Sequence, residues 1–248
     1  VVFMGGGSSR WPVSAGLLTA AAGLAGVALA LYWQPCAAHI RAGSAAAGHR
    51  FEPALTDACV ESMVGAPGFP LPEVGDGWSM IGLLGVVAAA LLAAAWLVLL
   101  PTIECPPRVR LVLAVPGLAV LGVAVASAVV ARQSAGEGLP NWLFVLVEFA
   151  VPLTVVVLGA NGVRGLRLLR YALVLLASTA IGLFHQLADY VAAIMFTSAS
   201  WDAAPGMGSF GVICILLTAL ATVVLWRVDL CGGSVRPGGT GTVGFSLA

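Results

Sequence analysis

Four polar side chains, His185, Gln186, Asp189 and Tyr190, interrupt the stretch GLFHQLADYVAAIMF, whose remaining residues have the composition of a membrane-crossing helix. His185 and Asp189 can each hold or pass a proton. They stand four residues apart, so on a continuous helix their side chains touch. At about 100° per residue, Ser178, Gly182, His185 and Asp189 fall within about 60° of one another, and Leu176, Leu183 and Leu187 project to the opposite side. A second acid, Glu148, lies six residues beyond Trp142 in another apolar run. A rise of about 1.5 Å per residue puts Glu148 about 9 Å and Asp189 roughly 10 Å below the same interface, with His185 about 6 Å deeper.

Carboxyl groups at such depth are expensive, about 3 kcal/mol at a helix centre, and by default mark proton or substrate paths. Glu148, His185 and Asp189, flanked by Tyr190, Gln186 and Ser178, are therefore the candidate path, lying between two neighbouring spans. Burial raises a carboxyl pKa and lowers that of histidine, whereas mutual contact acts the other way, so a shared proton or an ion pair reduces the penalty. The same residue types allow a blander role, in which the two acids accept hydrogen bonds from neighbouring helices. They also allow three metal ligands, His185, Asp189 and Glu148, although no family spacing supports a metal. The chain has no CxxC, HExxH or Walker loop, and His185 alone cannot supply two axial ligands to a haem. Neither metal nor cofactor is expected.

Composition fixes the solvent in which these groups must be held. Of 248 residues, 60% are hydrophobic and only 9% charged, against roughly a quarter charged in a soluble domain. Eleven basic and eleven acidic residues cancel, so no net field attracts nucleic acid. The partner implied is the lipid bilayer. Every basic residue is arginine, a bias that, with the heavy use of Ala, Gly and Val, points to a GC-rich bacterium and its cell membrane.

A hydrocarbon core takes roughly 20 apolar residues to cross as a helix. Six segments qualify, 11–33, 77–100, 111–131, 142–160, 171–196 and 208–227. The first mimics a secretory leader but is longer than such an apolar region. Arginine placement sets direction: Arg10, Arg108, Arg110, Arg164, Arg167, Arg170, Arg227 and Arg236 fall on one side, and Arg41, Arg50 and Arg132 on the other. The larger group belongs in the cytoplasm. The expectation is thus an all-α integral membrane protein, a six-transmembrane-helix bundle with both termini, 1–10 and the flexible tail 228–248, in the cytoplasm.

The one long connection, residues 34–76, is extracytoplasmic in this scheme and reads as a cap resting on the bundle. In an oxidising compartment its Cys36 and Cys59 pair. The loop is also where another membrane-protein subunit could be gripped. Arg164, Arg167 and Arg170, three residues apart, form an arc suited to anionic lipid headgroups. Rows of small residues, Ala22, Gly26 and Ala30 in the first span and Gly85, Ala89 and Ala93 in the second, predict close helix packing.

Three functions fit. The best supported by the polar cluster is small-solute or proton-linked transport. The alternative is a non-catalytic accessory or assembly subunit of a larger membrane complex, gripping its partner through the outer loop. The third, an intramembrane enzyme acting on a lipid or quinone, lacks any nucleophile–base pair or phosphate cradle in the sequence.

Overall fold

The computed structural model describes residues 9–38, 40, 56–63, 68–72, 79–131, 139–140, 142–197 and 205–232. Among them every regular element is helical. They are α1 (Arg10–Tyr32), α2 (Asp57–Met63), α3 (Met80–Leu97), α4 (Pro107–Val130), α5 (Trp142–Ala160), α6 (Gly165–Ser178), α7 (Leu183–Thr197) and α8 (Ser209–Gly232). Short 3-10 turns follow α1 and α3, at Gln34–Cys36 and Leu100–Thr102. Five helices, α1, α3 with its following turn, α4, α5 and α8, are long and apolar enough to cross a membrane. The chain is a multi-pass, all-α membrane protein.

The fifth apolar run departs from expectation. Where 171–196 predicts one continuous helix, the chain forms α6 and α7 at 79° to each other, and they make a sixth span only if the bent pair is counted as one. The turn occupies 179–182, and α6 begins earlier, at Gly165. Ser178 is therefore not on the same helix as His185 and Asp189.

Six helices close a ring: α1 packs on α3, α3 on α4, α4 on α5, α5 on α6, α6 on α8, and α8 on α1. α3 also meets α6 across the ring, and α7 rests against α5 and α8. Ala21, Ala22, Ala25 and Ala28 of α1 are fully covered, as are Ala88, Ala89 and Ala95 of α3. Small side chains let these backbones approach. The covered stripe of α1 is displaced from the row read in the sequence: Ala30 is exposed, and Gly26 faces Val212 of α8. Outward faces carry exposed Leu111, Leu118, Phe149, Leu153, Leu217 and Leu220, the surface that lipid covers.

At one end of the ring the arginines gather. Arg10 donates to the carbonyl of Val98 at 3.3 Å and Arg110 to that of Ile103 at 3.4 Å, satisfying carbonyls left open past the end of α3. Tyr171 packs on Trp11 and Trp96, with ring centroids at 4.9 and 6.4 Å, and shares a 2.6 Å hydrogen bond with Thr102. Arg170 is buried with its guanidinium 4.7 Å from the Trp11 ring. Only Arg164 and Arg167 of the expected three-arginine arc stay exposed.

At the other end lie the described parts of the long connection. Cys36 and Cys59 form a disulfide. Trp33 donates to the carbonyl of Met207 at 2.9 Å and Tyr32 to that of Ser62 at 2.8 Å. Gly68–Pro72 is wedged into the ring, with Phe69 and Leu71 buried. A methyl group at Gly85 would overlap the carbonyl of Pro70, and one at Gly82 would press on Pro72 at 3.0 Å. Gly208, at φ +94°, lies where a side chain would strike the carbonyl of Gly68 and Leu29. His39 and His49 of the same connection lie outside the described residues.

Substituting Cys36 and Cys59 with serine is expected to destabilise the protein by about 3 kcal/mol, read as a lower thermal midpoint in detergent that reductant lowers in the native chain alone. Gly85→Ala is expected to unseat the wedge, so that a cysteine placed at Phe69 reacts faster with a water-soluble maleimide than in the Gly85 background.

Candidate functional site

The break between α6 and α7 frees backbone groups, and nearby polar side chains take them up. Thr179 donates to the carbonyls of Leu175 and Leu176, both at 3.1 Å. The Gln186 amide reaches back to the carbonyl of Ile181 at 3.1 Å. At the start of α7, the third amide of the helix, His185 N, donates to Oε1 of Glu148 on α5 at 3.3 Å. The same oxygen is 2.5 Å from Nδ1 of the His185 ring. Pro152, four residues on, cannot donate to the Glu148 carbonyl, which interrupts the ladder of α5 beside the carboxylate.

Asp189 repeats this arrangement one helix later. Its Oδ1 accepts from Gly211 N at 2.6 Å, again the third amide of a helix, here α8. In both cases the residue at the N-cap is glycine, Gly182 or Gly208, with no side chain to accept a bond. A carboxylate from another helix does what a local Ser or Asp does elsewhere, and its charge complements the positive end of the helix. Space enforces the glycines: a Cβ on Gly182 would run into the Glu148 carboxyl, and one on Gly211 would lie 2.9 Å from Oδ2 of Asp189.

Both acids are buried, Glu148 at 7% and Asp189 at 4% exposure. His185 is therefore paired with Glu148 instead of forming the His185–Asp189 pair that helical spacing suggested. Asp189 is held aside by Gly211. Tyr190 packs toward the disulfide, beside the cluster of Trp33, Cys36, Cys59 and Met63. Ser178 is buried, and its hydroxyl has no hydrogen-bond partner among the described residues. Among those residues no three His, Cys, Asp or Glu side chains are grouped as metal ligands would be, so Glu148, His185 and Asp189 do not assemble the ligand set considered from sequence.

Glu148 and His185 open onto a cleft of about 320 Å³ bounded by α5, α6, α7 and α8. Ala177, Ala180 and Ile215 are its buried walls, and Leu176, Phe184 and Phe210 are exposed at its rim. Cys214 and Thr218 of α8 add a thiol and a hydroxyl. Sequence reading did not connect these α8 residues with the cluster, because nothing in their spacing reports which helix faces them. The turn itself had a signal, the small and polar run STAIG ahead of Leu183.

No known protein family, curated protein or solved structure matches the chain.

If these carboxylates cap helices in trans, Asp189→Ala should lower stability by about 1 kcal/mol, and Gly182→Ala should be more damaging than alanine at Gly159, which has open space around its Cα. Thermal unfolding of the purified variants measures both.

Proposed function

We propose that the protein moves a small solute, or protons coupled to one, across the bilayer through the Glu148–His185 pair. The observation that carries this reading is a carboxylate and an imidazole 2.5 Å apart at the wall of a membrane-embedded cleft, beside a discontinuous span. Such breaks in membrane helices accompany binding sites in transporters, where the half-helix end serves as a ligand. Here the positive end of α7 holds Glu148. Protonation of Glu148 weakens that bond, which gives the pair a way to couple proton uptake to the position of α7 relative to α5.

In this reading Asp189 serves the path by fixing α8 to α7, and Gln186 and Ser178 belong to the turn. The arginine-rich end lies in the cytoplasm, following the positive-inside rule, and the disulfide end lies outside, where an oxidising compartment preserves it. Arg164 and Arg167 then contact anionic headgroups of the cytoplasmic leaflet.

Proteoliposomes with a trapped pH-sensitive dye test the proposal. An imposed solute gradient across a panel of small metabolites should drive a pH change for at least one class, and Glu148→Gln should return the signal to that of empty vesicles. If no compound in the panel moves protons, while the native protein co-purifies in mild detergent with a stoichiometric membrane partner, transport is excluded. The subunit role assigned to residues 34–76 then takes its place.

A further inference from the structure

The rim of the Glu148–His185 cleft consists of side chains that face lipid. Leu176, Phe184 and Phe210 are 47%, 57% and 46% exposed, and all three lie on segments within the apolar belt. A molecule reaching the pair by this mouth comes from the bilayer and must dissolve in it. At about 320 Å³ the cleft is at the small end of ligand sites, which run from roughly 300 to 1,000 Å³. It suits a single ring or short head, with the rest of the molecule left among acyl chains.

The head's chemistry follows from the hydrogen bonds already made. Oε1 of Glu148 takes both the His185 backbone amide and the bond to Nδ1. An oxygen that accepts an amide is best served by the ionised carboxylate, with Nδ1–H donating to it. With the imidazole neutral, the other ring nitrogen, Nε2, is an acceptor. Among the residues lining the cleft, no arginine is present to balance an anion, and a carboxylate or phosphate head would meet Glu148 as a like charge. A hydroxyl fits: it donates to Nε2, and an acidic one can pass its proton there while Nδ1–H leans further onto Glu148.

We infer that the cleft binds one lipid-soluble, hydroxyl-headed amphiphile of the phenol or hydroquinone class, with its hydroxyl on His185 and its ring between Phe184 and Phe210. This rests on the transport reading only in using the same residues; binding stands or falls by itself. The site also contains its own reporter, since Cys214 lines the cleft and Cys105, another free thiol, lies on a different part of the chain.

The test follows N-ethylmaleimide labelling of Cys214 and Cys105 by peptide mass spectrometry, in nanodiscs carrying the full chain. 4-Decylphenol should slow Cys214 labelling several-fold and leave Cys105 unchanged. Decylbenzene, which lacks the hydroxyl, and decanoic acid should give no protection. Glu148→Gln should lose most of the effect. Against a folding defect in that variant, Ala188→Phe, at an exposed position on the cleft, provides a second arm: its added ring fills the mouth, and protection by the phenol should vanish.

Equal protection by decylbenzene would overturn the inference, since the cleft would then take any apolar body. Protection by decylamine without protection by the phenol would overturn it too, by showing a cationic head. Loss of proton flux in Glu148→Gln, together with no phenol protection, leaves transport standing and removes this ligand. Phenol protection in a protein that moves no protons does the reverse.

Discussion

A backbone amide or carbonyl that leaves its helix inside hydrocarbon has no water to bond, and each one costs several kcal/mol unless the protein supplies a partner. That constraint organises the half of the molecule near the disulfide. The bent pair α6–α7 turns at 179–182, and α7 and α8 each start behind a glycine cap. Thr179, Gln186, Glu148 and Asp189 each take up backbone groups at those places. Polar residues that look misplaced in an apolar run are in large part the partners that allow the run to turn.

The two acids share this architectural task but differ in what else they can do. Asp189 is closed in by Gly211 and the start of α8. Glu148 has a second bond, to an imidazole, and both partners border a cleft. A capping carboxylate with a titratable neighbour links protonation to helix position, because neutralising it weakens the charge-assisted bond at the positive helix end. The capping task and the proton role proposed for Glu148 are therefore compatible at one residue, beside the bend between α6 and α7.

The long connection belongs to the same arrangement. Gly68–Pro72 enters the ring over Gly82 and Gly85 and touches the backbone of Gln186 on α7. The disulfide and the Trp33 and Tyr32 hydrogen bonds anchor the described parts of this connection to the helix ends. Any movement of α7 is thus felt by the wedge. At the opposite end, the Trp11, Trp96 and Tyr171 cluster with buried Arg170 fixes α1, α3 and α6 together. The molecule has one tightly tied end and one end where a bent helix meets an inserted loop.

Composition and apolar run length determined the membrane address, the helical class and the placement of most spans, because the cost of exposing backbone to lipid acts on each segment separately. The sequence also determined the pairing of Cys36 with Cys59 and the interest of Glu148, His185 and Asp189. Periodicity assumed one continuous helix from Ser178 to Asp189, whereas the break at 179–182 takes Ser178 off the helix that carries His185 and Asp189. Only the tertiary structure decided that the helix breaks at 179–182, that Glu148 meets His185 while Asp189 meets Gly211, and that Arg170 turns inward onto Trp11. The reason is physical: whether a local turn is affordable depends on partners from α5 and α8, which lie far away in the chain and enter no local pattern.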